Sequence, residues 1–120
     1  MFKLRVVSGF SAAHNLRGYK GRCEELHGHN WRVELAVTSG RLDDVGLVVD
    51  FRKLRGMLDN VLEQLDHKYL NDMECFGKIN PSSENIAKFI YGQLASALAD
   101  MGIEVTVWEN EGSSATYRPS

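Results

Sequence analysis

Residues 31–38 read Trp-Arg-Val-Glu-Leu-Ala-Val-Thr, which is the clearest strand pattern in the chain. Apolar side chains stand at every second position from Trp31, which is the period of a β-strand with one buried face. An earlier segment, residues 2–7, is apolar and β-branched and predicts a first strand. Residues 103–109 alternate in the same way and predict a third strand, and residues 115–118 predict a short fourth one.

Two segments carry apolar side chains at spacings of three and four, the pattern of an amphipathic helix. The first has its apolar stripe over residues 51–65 and follows Asp50, a favoured N-cap residue. The second is capped by Ser82 or its neighbour, has its stripe over residues 86–98, and is expected to end at Gly102 in a left-handed conformation. Two helices on one face of a four-stranded antiparallel sheet make an α+β fold.

The composition narrows the class of protein. The chain has 120 residues, so residues 1–120 are expected to form a single domain. A net charge of −2 without a basic block argues against nucleic acid as a partner. No apolar run approaches the roughly 20 residues that cross a bilayer, and the first residues lack a signal peptide's apolar centre. Two cysteines are too few for a disulfide scaffold, so we expect a cytoplasmic protein with reduced thiols.

The predicted sheet also bears on assembly. An open sheet has two edges with unpaired N–H and C=O groups, which proteins must cover or pair. Pairing with other copies of the same chain is the economical solution. The sequence therefore predicts a homo-oligomer.

Three histidines lie in the first quarter of the chain, at His14, His27 and His29. Residues i and i+2 of a strand point to the same face, so His27 and His29 can reach one metal ion. A hairpin between the first two strands would bring His14 alongside them. Three neutral imidazoles with an open fourth position are typical of catalytic zinc, although a lone His-x-His also occurs among ordinary surface histidines.

A thiol and an Asp-His pair are candidates for proton transfer. Cys23 lies four residues before His27, and a nearby dication lowers the pKa of a thiol, which favours a general base. Cys23 is otherwise a fourth zinc ligand or an inert thiol. Asp66 and His67 end the first helix, where a carboxylate can orient an imidazole that carries protons. The helix dipole alone also favours a histidine at that place.

Two glutamates are candidates for binding. Glu109 falls on the same face as Val105 and Val107, where an unpaired carboxylate is costly to bury. A ligand with two adjacent N–H donors would pair with this carboxylate. The alternative is that Glu109 lies in solvent at the end of the strand. Glu84 has a plain interpretation, as an acidic residue in the first turn of the second helix.

Six motifs, in this order along the chain, resemble the 6-pyruvoyl-tetrahydropterin synthase family, and within it the bacterial branch that makes 6-carboxytetrahydropterin. They are residues 10–14, Cys23 with His27-Gly28-His29, residues 49–51, residues 65–67 with 69–71, residues 80–81 with 83–84, and Glu109. The resemblance implies the tunnelling fold, in which subunits pool their sheets into a barrel. It also implies a homohexamer, a dimer of trimers, with sites between subunits.

The resemblance implies a role for each matching residue. It implies that the zinc ligands are His14, His27 and His29. It also implies a catalytic thiol at Cys23 with an Asp-His pair at Asp66 and His67. The carboxylate that anchors the pterin ring is then Glu109. Glu84 lies in a matching motif and is expected at the substrate.

The implied activity is a zinc-dependent carbon–oxygen lyase. Its substrate is 7,8-dihydroneopterin triphosphate, and its products are 6-carboxy-5,6,7,8-tetrahydropterin, acetaldehyde and triphosphate, on the route to 7-deazaguanine and queuosine. The triphosphate needs cations, and Arg17, Lys20 and Arg22 are candidates.

Glu24, directly after Cys23, leaves a second product open. A related branch uses a glutamate near this position and cleaves the same substrate to 6-hydroxymethyl-7,8-dihydropterin for folate synthesis. Glu24 is therefore a candidate substrate-binding residue as well as a plain loop carboxylate. Formation of 6-pyruvoyl-tetrahydropterin is another alternative, and a non-catalytic zinc- or pterin-binding oligomeric module is the alternative outside enzymes.

Overall fold

The computed structural model describes residues 1–20 and 24–120, so Cys23 and Arg22 lie outside the described residues. The helices and strands are, in chain order, β1 (Phe2–His14), β2 (His27–Ser39), α1 (Phe51–Glu63), β3 (Lys68–Tyr69), α2 (Ser83–Leu94), β4 (Gly102–Asn110) and β5 (Ser113–Tyr117). In this described part of the chain, neither helix has the length and apolar character needed to cross a membrane.

The five strands of the described residues form one mixed sheet in the order β3-β1-β2-β4-β5. The pairs β1–β2, β2–β4 and β4–β5 are antiparallel, as expected. β1 and β2 extend further than the alternation predicted, and their register places His14 opposite His27. The long hairpin therefore carries all three predicted zinc histidines to one end of the sheet.

The expectation of a four-stranded, wholly antiparallel sheet is wrong in one respect. β3 is a fifth strand, and it runs parallel to the edge of β1 over two residue pairs. The chain is held there because the Ser11 N–H donates to the Asp66 carboxylate and the His67 N–H donates to the Ser11 carbonyl. A strand of two residues has no periodicity of its own, so no pattern of side chains predicts it.

Both helices pack on the same face of the sheet, as predicted. Asp50 accepts a hydrogen bond from the Arg52 N–H at 2.7 Å, and Ser82 accepts one from the Asn85 N–H at 3.2 Å. The apolar stripe of each helix is buried against the alternate apolar positions of the strands. The largest fully buried side chains are Trp31, Phe76, Leu35, Leu54, Leu58, Leu65, Leu70, Ile86, Ile90, Val33, Val37 and Val105.

Three local expectations fail at the ends of elements. α2 ends at Leu94, and Gly102 begins β4 instead of ending the helix in a left-handed conformation. α1 ends at Glu63, because the chain turns there toward the β1 edge. The apolar run at residues 47–49 predicts a short strand after a turn, but these residues form none, although Val48 and Val49 pack against the core.

Truncating Leu58 tests the packing of α1 on the sheet. Leu58 is fully buried, so Leu58→Ala is expected to lower the free energy of unfolding by about 2–5 kcal/mol. The measurement is urea unfolding at fixed protein concentration. The exposed Val45→Ala is the matched control, with an expected change within about 0.5 kcal/mol. Equal stability of the two variants would contradict the packing of this helix.

Candidate metal centre and active site

The three histidines share the helix-facing side of the sheet. His14 ends β1 and His27 begins β2 directly opposite it, and His29 follows on the same face. Their rings lie edge to face, with centroids 4.6 Å apart for His14 and His27 and 4.8 Å apart for His27 and His29. The register of one hairpin thus produces the convergence that the spacing predicted.

Trp31 forms the base of the cluster. Its ring packs edge to face on His14 at 4.9 Å and on His29 at 5.1 Å between centroids. The indole N–H donates to the Ala12 carbonyl at 3.2 Å, and Phe10 stacks on the other side of the ring at 5.8 Å. The cluster therefore stands on a fixed aromatic layer that belongs to the core.

Two backbone carbonyls set the tautomers of two of the imidazoles. His14 Nδ1 lies 2.7 Å from the Pro81 carbonyl oxygen, and His27 Nδ1 lies 2.9 Å from the Glu25 carbonyl oxygen. A carbonyl oxygen can only accept, so both Nδ1 atoms carry the proton. Both Nε2 atoms then present a lone pair, which is the arrangement usual for histidines that bind a metal.

Glu109 joins this cluster at the end of β4. Its Oε1 lies 3.0 Å from His29 Nε2 and 3.3 Å from His14 Nε2. The pairing of β4 with β5 shifts register between Trp108 and Asn110, which leaves Glu109 as the extra residue of a β-bulge. One ligand atom from each of His14, His27, His29 and Glu109 lies within 4.8 Å of the others, so these residues form a possible metal site.

The chemistry of these atoms fits a cation. Nε2 of His14 and Nε2 of His27 are 3.0 Å apart, and with both Nδ1 atoms protonated two lone pairs face each other. His29 Nε2 is buried and makes no hydrogen bond within the described residues. Ligand atoms around a tetrahedral zinc, at about 2.0–2.1 Å from the metal, are themselves separated by roughly 3.3 Å. A dication between these atoms would satisfy every lone pair.

The electrostatics also favour neutral ligands. Burial lowers the pKa of His29 below its ordinary value, and the neighbouring His14 and His27 act in the same direction, whereas Glu109 raises it. Neutral imidazoles are the form that binds metals.

Asp66 and His67 form the predicted pair, but outside this cluster. Asp66 Oδ2 lies 2.9 Å from His67 Nδ1, and Asp66 Oδ1 accepts the Ser11 N–H at 2.9 Å. The Ser11 N–H is the main cause that lowers the pKa of Asp66, and His67 adds to it. The His67 side chain is 83% exposed, at the β3 edge of the sheet, and its backbone has a φ of 57°.

The remaining candidates have separate places. Glu24 Oε1 accepts the Leu16 N–H at 3.2 Å and lies 3.8 Å from His27 Nδ1, so this carboxylate borders the cluster. Glu84 is exposed in the first turn of α2 and is not among the four residues whose ligand atoms converge. The guanidinium of Arg17 is engaged by backbone carbonyls of residues 76–79 instead of being free for phosphate.

Comparison with known proteins agrees with this geometry. Residues 3–120 match the family described as 6-pyruvoyl tetrahydropterin synthase. The chain belongs to that family. A 6-carboxy-5,6,7,8-tetrahydropterin synthase of Synechocystis sp. is 40% identical over 113 residues, covering 90% of this chain and 86% of the relative. This protein is therefore an enzyme of the 6-pyruvoyl tetrahydropterin synthase family, and it is consistent with the 6-carboxytetrahydropterin branch.

Solved structures of the family share the fold. The Caenorhabditis elegans 6-pyruvoyl tetrahydropterin synthase superposes with a TM-score of 0.83 at 28% identity, over 99% of this chain and 96% of that one. The Plasmodium vivax 6-pyruvoyltetrahydropterin synthase with its catalytic glutamate replaced by alanine gives a TM-score of 0.79 at 26% identity, over 97% and 96%. The resemblance found in the sequence is thus confirmed at the level of family and fold.

Several features of the site were not foreseen from the sequence. The buried-face parity of Glu109 correctly indicated an inward carboxylate, but not its contact with two of the histidines. The Pro81 carbonyl reaches His14 from 67 residues away and is positioned by tertiary structure, for which a sequence has no local signal. The hydrophobic alternation predicted that Trp31 is buried. Together with the β1–β2 register, this prediction would have placed Trp31 beneath the histidines.

Proposed function

We propose that this chain is a zinc-dependent carbon–oxygen lyase that also breaks a carbon–carbon bond of the substrate's side chain. It would convert 7,8-dihydroneopterin triphosphate to 6-carboxy-5,6,7,8-tetrahydropterin and acetaldehyde, with triphosphate eliminated by cleavage of its C–O bond. The atoms balance with one water consumed. The observation that carries the proposal is the pair of facing lone pairs on His14 and His27, beside the buried His29 Nε2, which lies 3.0 Å from Glu109 Oε1 without a hydrogen bond; together these atoms call for a dication. The 40% identity to a 6-carboxytetrahydropterin synthase supports this product over the others.

Zinc is proposed to be held by His14, His27 and His29. Zinc bound there supplies a Lewis acid that polarises the hydroxyl groups of the substrate's side chain. The buried His14 and the aromatic base formed by Trp31 keep the imidazoles in place, and the helix-packed core keeps water from their inner side. Three neutral ligands leave the positive charge of the dication uncompensated, which favours the binding of anionic groups nearby.

Cys23 is proposed as the general base that takes a proton from carbon. A neighbouring dication and imidazoles shift a thiol toward thiolate at neutral pH. The N–H of Glu24, the next residue, donates to the Leu16 carbonyl at 2.9 Å, just after the end of β1. This hydrogen bond places residue 24 beside His27.

Asp66 and His67 are proposed to carry protons at a site completed by a neighbouring copy. The pair precedes β3, an edge strand of the sheet, and the edge is where another copy would pair. The His67 ring is exposed there, while its Nδ1 is held by Asp66. We therefore propose a homohexamer with sites between subunits, in agreement with the edge-strand argument.

Mixed oligomers test this arrangement. Cys23→Ala and His67→Asn subunits are each expected to be inactive alone. Co-expressed in equal amounts, they are expected to recover about a quarter of the natural activity, because about one site in four then combines an intact thiol with an intact partner histidine. Separately purified and unmixed oligomers are the control. No recovery in verified mixed oligomers would place both residues of a site on one subunit.

Glu109 is proposed to anchor the pterin ring through its two carboxylate oxygens. Glu109→Gln is expected to reduce kcat/KM at least about 100-fold, since one acceptor becomes a donor facing the ring's N–H groups. Zinc content is expected to stay near that of the natural chain, measured by metal analysis. Glu111→Gln, on an exposed neighbouring carboxylate, is the control. Loss of zinc with the Glu109 carboxylate would make it a ligand instead of an anchor.

A second candidate function is cleavage to 6-hydroxymethyl-7,8-dihydropterin. It is favoured by the position of Glu24, whose carboxylate lies 3.8 Å from His27 Nδ1. Zinc-loaded protein incubated with 7,8-dihydroneopterin triphosphate, with products identified by mass, separates the two. Acetaldehyde with 6-carboxytetrahydropterin supports the first function, 6-hydroxymethyl-dihydropterin supports the second, and unchanged substrate supports a binding module.

A further inference from the structure

We propose that Arg17 and Asn80 are positioning residues for the metal centre. They hold the backbone segment that ends at Pro81, whose carbonyl orients His14. This inference rests on the proposed metal-dependent function.

Arg17 fixes the start of this segment. Its guanidinium donates to the carbonyls of Phe76 and Gly77, the latter at 2.9 Å, and reaches the Ile79 carbonyl at 3.3 Å. Arginine has five N–H donors in a rigid plane, so one side chain can hold several carbonyls of an irregular turn at once. Arg17 lies three residues after His14. The same stretch of chain therefore carries both the metal-binding imidazole and the guanidinium that holds the segment leading to Pro81.

Asn80 fixes the end of the segment. Its side chain makes a reciprocal pair with the backbone of Arg17, in which Oδ1 accepts the Arg17 N–H at 2.8 Å and Nδ2 donates to the Arg17 carbonyl at 3.0 Å. The Asn80 carbonyl in turn accepts from Asn85 Nδ2 at 2.8 Å. Residue 80 is thus tied on one side to the chain after β1 and on the other to the first turn of α2.

Pro81, the next residue, connects this segment to the metal centre. Pro81 is buried, has no N–H of its own, and places its carbonyl 2.7 Å from His14 Nδ1. This hydrogen bond keeps the proton on Nδ1 and turns Nε2 toward His27 and Glu109. Loss of such an outer partner of a metal-binding histidine typically weakens metal affinity about 10- to 100-fold. Arg17 and Asn80 act on the metal through this carbonyl.

The test compares variants that remove the donors. Arg17→Met keeps a long side chain without N–H donors, and Asn80→Asp keeps the acceptor for the Arg17 N–H but loses the donor to its carbonyl. Each is expected to bind zinc about 10- to 100-fold more weakly, measured by competition with a chromophoric chelator. The visible spectrum of the cobalt-substituted protein is expected to change, and the His14 Nδ1 proton is expected to weaken in the NMR spectrum of the metal-free protein.

Lys78→Met is the matched control, because it removes an exposed cation from the same segment. It is expected to leave zinc affinity and both spectra unchanged. Natural affinity and spectra in both folded test variants would overturn the inference, and if Arg17→Met does not fold, Asn80→Asp decides it. Absence of zinc binding by the natural chain and by Lys78→Met would instead refute the proposed function.

Discussion

Replacement of Cys23 by alanine is expected to abolish turnover of 7,8-dihydroneopterin triphosphate while zinc stays bound. A general base contributes about 100- to 10,000-fold to a rate, and here it takes the proton from carbon, so kcat is expected to fall by at least about 1,000-fold. The zinc content is expected to be unaffected, because the three imidazoles that converge in the structure do not need a thiol to close the site.

The control for this variant is Cys75→Ala. Cys75 is a free, exposed thiol in the turn between β3 and α2, and desolvation raises its pKa, so it is not activated as a base. Its replacement is expected to leave turnover unchanged. Departure of zinc with the Cys23 thiol would identify Cys23 as a ligand. Persistent turnover would pass the role of base to Glu24, and Glu24→Ala would then be the inactive variant.

Replacement of His14 by alanine is expected to remove the metal and with it all turnover. His14 is the buried member of the cluster, it bridges His27 and Glu109, and its Nε2 is within 3.3 Å of both. Loss of a hydrogen-bond partner of a metal-binding histidine typically weakens metal affinity by up to about 100-fold. Loss of one of the three ligands is expected to weaken zinc binding by considerably more. Metal analysis after gel filtration measures the zinc retained per chain.

The control for this variant is His67→Ala, which removes an exposed histidine that lies outside the cluster. It is expected to retain zinc and to lose turnover. Because His14→Ala also leaves the Pro81 carbonyl without its donor, urea unfolding checks that the metal is lost from a folded protein. Zinc retention by His14→Ala would show that the ion is bound elsewhere.

Much of the scaffold was predictable because its signals are local. The alternation from Trp31 and the N-cap at Asp50 each depend on residues close in sequence, and each is confirmed. The convergence of His14 with His27 follows from one hairpin register. These features need no knowledge of distant contacts.

The missed features depend on contacts between distant segments. β3 exists because Asp66 and His67 bond to Ser11, which is more than fifty residues away. The bulge at Glu109 arises from a register shift between two strands, which no alternation of side chains reveals. The role of Arg17 is the sharpest case, since its charge suggested phosphate while its donors are used by backbone carbonyls.

X-ray absorption at the zinc edge of the purified protein shows directly whether three imidazoles hold a zinc ion. About one zinc per chain is expected, with scattering from three imidazole nitrogens at about 2.0–2.1 Å and one oxygen. A protein without zinc after growth and purification in its presence would contradict the account. A sulfur neighbour at about 2.3 Å would also contradict it, because Cys23 would then be bound to the metal instead of free to take a proton.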